Sequence, residues 1–508
     1  MSEPSEEKRK DHIIKTVGHN TLYGYAVMVW STFLGFWITP YILHALGNEL
    51  YGIWGIALST FSVATFFDLG LGSALVFFVA DKCIRENSDE VNATINSGLF
   101  LNFCFGFLGG LLLVGGGHVV VHNFLKVSPK LQELATATLS IYGLLFMVQM
   151  PAKIYEDVLI GMQRLDITNK TGLCIRTVER LLVLLLVLKG VHFLVIVWIS
   201  GSLAASLYFI EFFFVKQLMP NYHLRFALRK KDVKAFFSTG GQQFIAGVGY
   251  VFMGVIDRLL LGSLLHVRMV TFYDLASRPS QLLHQLSLRF FQPVYPAATE
   301  LKARQKNEQL KSLFKKGTKI VFVLFTPLAL SIFFWSLELV RLWVGTGYDL
   351  AGQMLRILTV NYFVLSLNVI PSAMMFGLNK AWILSWESLT RIFLNFVLSF
   401  IFINRIGPLG AAYGVTLASL MTTMPFFWWM AREVGIGGKE LFFEVLLFPL
   451  LILSLGPLFF MGGPLLGFHI FWRFATFTIF FLCTSLFFYI GKGETISLLK
   501  AVFVRSER

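Results

Sequence analysis

The chain has 508 residues, 56% of them hydrophobic and 14% charged, with a mean hydropathy of +0.69. A soluble protein carries about a quarter charged residues, so this composition excludes a soluble enzyme and indicates a polytopic membrane protein. The net charge of +14 sits mostly in connections, a topology signal and no nucleic-acid footprint, and the scattered Cys83, Cys104, Cys174 and Cys483 suit neither a disulfide framework nor a zinc site.

In chain order, segment 1–19 is mixed in charge and lacks a signal-peptidase pattern. Apolar or helix-like spans are predicted at 20–44, 50–80, 95–121, 133–160, 172–190, 191–215, 237–263, 270–298, 317–343, 353–378, 381–403, 408–431, 441–462 and 467–490. The expected fold is all-α, with about 14 transmembrane helices. About 29 of the 43 Lys and Arg fall on the side of the N-terminus and about 8 on the other. That bias predicts cytoplasmic N- and C-termini.

The eighth span, 270–298, is the odd one. At 100° per residue, Asp274, Arg278, Gln281, Gln285, Arg289 and Gln292 fall within roughly 60 to 80° of one another. The stripe covers about 18 residues, or roughly 27 Å of helix. Basic connections at 216–234 and 302–319 flank this span and one plainly apolar one. Two crossings keep both connections on one face, so the polar segment is expected to span the bilayer, the rival being an interfacial helix. A charged line on a spanning helix must face a wet cavity or other protein.

Three landmarks recur at nearly one spacing. Leu46-Gly47 returns as Leu261-Gly262, Gly161-Met162-Gln163-Arg164 as Gly377-Leu378-Asn379-Lys380, and Glu179-Arg180 as Thr390-Arg391, at shifts of 215, 216 and 211. The chain therefore reads as two six-helix lobes of like orientation in a parallel pseudo-two-fold repeat, plus two C-terminal helices. The expected pieces are an N-lobe at 20–220, a basic linker at 221–236, a C-lobe at 237–434, extra helices at 439–491 and a tail at 492–508.

Charges inside spans need reasons, since each costs roughly 2.5 to 3.5 kcal/mol at a bilayer centre. Glu387 and Arg391, and Lys153 with Glu156 and Asp157, have the spacing of local pairs. Arg278 and Arg289 are the candidate anion contacts, with Gln281, Gln285, Gln292 and Gln243 as candidate hydrogen-bonding partners. Asp257, Asp274 and Asp68 are the candidate ion-coupling carboxylates. His284 and the aromatic clusters suit packing as well as binding. No P-loop, HExxH or metal cluster appears, so no cofactor is expected and an enzyme is not indicated. Transport remains, with a non-transporting scaffold as the contrasting class.

Residues 46–75, LGNELYGIWGIALSTFSVATFFDLGLGSAL, carry Leu46, Gly47, Tyr51, Gly52, Asp68, Gly70, Leu71, Gly72 and Ala74. This pattern resembles the signature of the polysaccharide-exporting flippases (lipid-linked oligosaccharide and O-antigen) of the multidrug/oligosaccharidyl-lipid/polysaccharide (MOP) superfamily. The resemblance implies translocation of an undecaprenyl-pyrophosphate-linked oligosaccharide across the bacterial inner membrane by alternating access. It also implies polysaccharide polymerase and glycosyltransferase partners, and leaves a proton or sodium gradient as candidate driving force. Peptidoglycan-precursor flippases of the superfamily place arginines in the first two helices, and 20–44 and 50–80 contain none. Drug and cation antiporters, which rely on cavity carboxylates, are the other alternative.

Overall fold

The computed structural model describes residues 6–64, 70–84, 88–378, 380–441 and 443. Asp68 and nearly all of the last two expected spans lie outside the described residues. Within them the chain is helical throughout, without strands, and each of the first twelve expected spans finds a helix. The all-α, polytopic fold is therefore as the sequence indicates.

Helix α1 (Glu6–Ala64) holds the first span and the start of the second, bent at Gly47, whose φ of 77° and ψ of 168° suit glycine alone. The second span was expected unbroken over 50–80. The described part of α1 reaches Ala64, and the break in this span is seen at Gly70, whose φ of 77° precedes α2 (Leu71–Ile84). Then come α3 (Ser88–Val119), α4 (Gln132–Ala152), α5 (Ile154–Gly161), α6 (Leu165–Leu188) and α7 (Phe193–Leu218). The fourth span is thus also broken, at Lys153, just after Pro151, which lacks the N–H that would continue the ladder.

Helix α8 (Lys230–Leu264) packs against α1 and α2. The chain accordingly divides into compact units Met1–Thr271 and Phe272–Arg508, with the boundary past the basic linker at 221–236, because the seventh span packs with the first six. Next are α9 (Val267–Phe290), α10 (Val294–Ala303), α11 (Asn307–Phe334), α12 (Ser336–Val344), α13 (Asp349–Leu367), α14 (Val369–Gly377), α15 (Ala381–Ile406) and α16 (Leu409–Glu433). The break between α13 and α14 falls at Asn368, 215 residues after Lys153. The starts of α6 and α7 recur 216 residues on as those of α15 and α16. Two of the three landmarks, at shifts of 215 and 216, agree with this repeat of whole elements, whereas Glu179-Arg180 and Thr390-Arg391, at 211, do not, since the element spacing pairs Glu179 with Asn395.

The described positions of the signature at 46–75 serve close packing. A Cβ on Gly52 would lie 2.4 Å from the Val267 carbonyl oxygen, and one on Gly72 would lie 2.7 Å from Asp157 Oδ2. Tyr51, Leu71 and Ala74 are buried. These positions need small or apolar residues so that α1 and α2 can approach their neighbours.

The second unit's core joins Leu283 of α9, Phe314 and Phe325 of α11, Ile370 and Met374 of α14, and Phe427 and Met430 of α16. The first unit's core joins Leu71 and Leu75 of α2, Ile95 of α3, Ile154 and Val158 of α5, and Phe236 of α8.

Candidate functional site

Helix α9 forms although it is polar, because its back is built for close packing. Ala276, Ser280, Leu283 and Ser287, at steps of four, three and four, are all buried. Ser280 Oγ donates to the Ala276 carbonyl at 3.1 Å and Ser287 Oγ to that of His284 at 2.8 Å, so the buried hydroxyls are satisfied within the helix. The stripe residues Asp274, Arg278, Gln281 and Gln285 are offset from this face by two residues, roughly 200°, and so occupy the opposite side.

Exposure along the stripe is graded. Asp274 is 6% exposed, Arg278, Gln281 and Gln285 are half-buried, and Arg289 and Gln292 are exposed. One correction applies. Gln292 was expected on the same helix, but α9 ends at Phe290 and Gln292 lies in the turn before α10. Pro293 disfavours helical backbone at the residue before it, and the buried Phe291 anchors the turn.

Gln281 Nε2 donates to the Tyr362 hydroxyl of α13 at 2.9 Å, fixing one amide of the stripe. Beside the stripe, His284 Nδ1 is buried without a hydrogen-bond partner, and the charge of Arg391 on α15 acts on that ring. Arg391 Nη1 donates to Glu387 Oε1 at 3.0 Å, a buried pair one helical turn apart, as the spacing predicted. In the same unit an apolar pocket of about 490 Å³ is lined by Phe322 and Phe333 of α11, Val360 and Phe363 of α13, and Met424 and Phe427 of α16. The second unit thus offers guanidinium and amide groups on one helix and a hydrocarbon-lined pocket among three others.

The other candidates lie in the first unit. Asp257 of α8 is fully buried. Gln243 is on α8, its side chain outside the described set. Sequence reasoning missed a set of part-buried polar contacts there. Trp54 Nε1 donates to the Tyr142 hydroxyl at 2.7 Å, Ser200 Oγ to Glu179 Oε1 at 2.6 Å, and Thr171 Oγ1 to Glu211 Oε1 at 3.3 Å. Arg180 donates to the Ser31 carbonyl over Gly35. The available signal was the adjacency of Glu179 and Arg180: side chains 100° apart on a helix point in different directions, so their pairing with one another does not by itself account for both charges.

With this geometry established, comparisons with known proteins identify the lineage. A family model described as polysaccharide biosynthesis protein matches residues 17–302, more than half of the chain. The chain belongs to this family. As a polysaccharide biosynthesis protein it also matches the lipid II flippase MurJ model over residues 167–487. A putative O-antigen transporter of Shigella flexneri is 23% identical over 82% of this chain and 97% of its own length. A probable low-salt glycan biosynthesis flippase of Haloferax volcanii is 21% identical over 41% of this chain and 44% of its own. Among solved structures, an inward-facing multidrug transporter of the MATE family aligns with a TM-score of 0.66 at 12% identity, covering 82% of this chain and 98% of that one. The inward-closed lipid II flippase MurJ aligns at 0.65 and 15% identity, covering 95% and 100%. At these identities the likeness to solved structures is one of fold.

Proposed function

We propose that this multi-pass membrane protein is a flippase that carries a polyprenyl-pyrophosphate-linked oligosaccharide across the bacterial inner membrane by alternating access, for cell-surface polysaccharide synthesis. The observation that carries the reading is the face of α9, where Arg278, Gln281, Gln285 and Arg289 stand opposite a buried small-residue back. Guanidinium groups suit a pyrophosphate and amides suit sugar hydroxyls. Membrane lipids surround the exposed apolar belt, and the polyprenyl chain stays among them. The termini face the cytoplasm, where glycosyltransferases supply the substrate and from which a polymerase receives it across the membrane. A proton or sodium gradient drives the cycle through Asp257, Asp274 or Asp68.

Arg278→Gln and Arg289→Gln test the anion contact, each expected to lower surface-glycan export about tenfold at unchanged protein level, the value of one charge-assisted hydrogen bond. Normal export in both variants would sink the assignment. Asp257→Asn tests coupling: transport of the wild type that ignores both proton and sodium gradients removes that part.

A second reading, a flippase for a peptidoglycan lipid precursor, is favoured by the MurJ family match over 167–487. Complementation of cells depleted of that activity separates the two: rescue favours the peptidoglycan precursor, and restored surface glycan without rescue favours the oligosaccharide.

A further inference from the structure

The connection between α7 and α8 was expected to be a basic loop. It is a strap stitched along the first turns of α3. Asn92 Nδ2 donates to the Asn221 carbonyl at 2.8 Å and Asn96 Nδ2 to that of His223 at 2.9 Å, while the Arg225 amide donates to Asn96 Oδ1 at 3.0 Å. The Arg229 amide donates to Ser97 Oγ at 3.2 Å. The guanidinium of Arg229 then closes the strap onto Asp232 at 2.7 Å, Glu90 at 3.2 Å and Thr94 at 3.1 Å. Burial opposes the charge of Arg229, but hydrogen bonds and the charges of Asp232 and Glu90 outweigh it and hold its pKa above the usual value.

Between these anchors lies His223-Leu224-Arg225-Phe226-Ala227-Leu228, all exposed, with Leu224, Phe226 and Leu228 presenting large apolar side chains. In an extended chain, residues two apart share a face. On that spacing Leu224, Phe226 and Leu228 fall on one side of the strap, and His223, Arg225 and Ala227 on the other. The polar first turns of α3 hold the strap by hydrogen bonds, and the apolar part of that helix begins at Gly98-Leu99. Phe226 packs edge-on against Phe103 in that apolar part, ring centroids 5.7 Å apart, and Phe103 stacks on Phe107 at 6.2 Å. Phe103 and Phe107 are exposed side chains of a membrane-spanning helix, so Phe226 continues a surface that faces lipid.

We infer that the strap 223–228 is a membrane anchor: Leu224, Phe226 and Leu228 enter the boundary between acyl chains and headgroups, while Arg225, with Lys216, Lys230 and Lys234 nearby, meets anionic headgroups. Continuity with the lipid-facing side of α3 commits the occupant to lipid, and the basic flank matches the negative inner leaflet. The strap leads straight into α8, so the anchor fixes the chain between the two six-helix repeats at a set depth in one leaflet. The inference rests on a lipid-facing α3 and not on the flippase reading.

The test places single cysteines at 223 to 228 in a chain with Cys83, Cys104, Cys174 and Cys483 replaced by Ser, each labelled with an environment-sensitive fluorophore. The protein is reconstituted in phosphatidylglycerol-containing vesicles with lipids brominated near the headgroup. Quenching at 224, 226 and 228 is expected at about twice that at 223, 225 and 227, following the two-residue period. Uniform quenching, or none at any position, overturns the anchor, the latter also being the result for a strap covered by another protein. Replacing phosphatidylglycerol by phosphatidylcholine is expected to weaken quenching of the label at position 226, and equal quenching overturns the headgroup contact. Since the cysteine-free chain is heavily altered, a photoreactive phenylalanine analogue at 226 in the native-cysteine chain provides a second readout. Cross-linking to lipid from 226 but not from 225 supports the anchor, and equal yields overturn it.

Discussion

The broken fourth span of the first unit and its mate in the second have the same backbone and opposite chemistry. Helix α5 ends at Gly161, where a Cβ would lie 3.0 Å from the Val76 carbonyl oxygen of α2. Helix α14 ends at Gly377, where a Cβ would lie 3.1 Å from the Tyr295 carbonyl oxygen of α10. Break, closing glycine and returning helix all recur. The charges do not. At the 216-residue spacing Glu156, Asp157, Glu179 and Glu211 correspond to Ser372, Ala373, Asn395 and Phe427, while Glu387 and Arg391 correspond to Thr171 and Ile175. The duplicated features are those the backbone needs in order to pack. The features that differ are charges, each of which costs free energy inside a membrane and persists only with a partner or a task.

The largest expected effect comes from the ion pair that the first unit lacks. Arg391→Leu strands Glu387, which is 6% exposed, and is expected to cost about 3–5 kcal/mol. The double variant Glu387→Thr/Arg391→Ile installs the first unit's residues at those positions and is expected to recover most of the loss, because a buried pair and an apolar replacement are close in free energy. Thermal unfolding in detergent checks both. A double variant as unstable as the single one would mean the pair holds something beyond itself.

Overpacking the shared glycines comes next. Gly161→Val and Gly377→Val each push a branched side chain into a backbone carbonyl that cannot rotate away, at an expected cost of about 1–3 kcal/mol apiece. The two losses should match, since both glycines meet a neighbouring helix at about 3 Å. A large loss in one unit and none in the other would break the claim of a common scaffold.

Glu179 and Asn395 give a finer comparison. Ser200 Oγ donates to Glu179 at 2.6 Å and Ser399 Oγ to Asn395 Oδ1 at 2.9 Å, a carboxylate in one unit against an amide in the other. Glu179→Gln keeps the acceptor and is expected to change stability by less than about 1 kcal/mol, whereas Ser200→Ala leaves the carboxylate oxygen unmet at about 1–3 kcal/mol. Similar losses from the two variants would show that the charge, and not the hydrogen bond, holds this contact.

Local patterns made the spans, the repeat and the polar stripe legible. Hydropathy marks a crossing within 20 residues, and a glycine that closes a helix is visible wherever it stands. The stripe was predicted through Arg289 because helical periodicity alone places Asp274, Arg278, Gln281 and Gln285 on one side. It failed at Gln292, where the buried ring of Phe291 and the imide of Pro293 override periodicity. The strap was illegible because Asn92 and Asn96 find their partners about 130 residues away. Such long-range amide-to-backbone bonds leave no period in the sequence. The side-chain pair Glu179 and Ser200, 21 residues apart on two helices, follows no helical period either.

The smallest effect expected concerns how each six-helix repeat ties its end back to its third helix. After α7, Arg229 and Lys231 reach Glu90 at the start of α3, Lys231 at 2.7 Å. After α16, Glu440 reaches Lys311 at 3.1 Å and Lys315 at the start of α11. The clasp recurs with its signs exchanged. The two lysines hold the Glu440 carboxyl down at about 2, first through the Lys315 hydrogen bond and then through that of Lys311. A lowered carboxylate pKa contributes stability above the unfolded-state value and loses it as pH falls through the folded one. Glu440→Gln should therefore lower the melting temperature at pH 7, and the gap to wild type should close between about pH 4.5 and pH 2. The gap should also shrink in high salt, because this half-buried clasp remains within reach of solvent ions. A gap that persists at low pH would place the role of Glu440 in its uncharged contacts, such as the Gly437 amide that donates to Glu440 Oε2 at 3.3 Å, and the resemblance to the Glu90 clasp would then be one of position only.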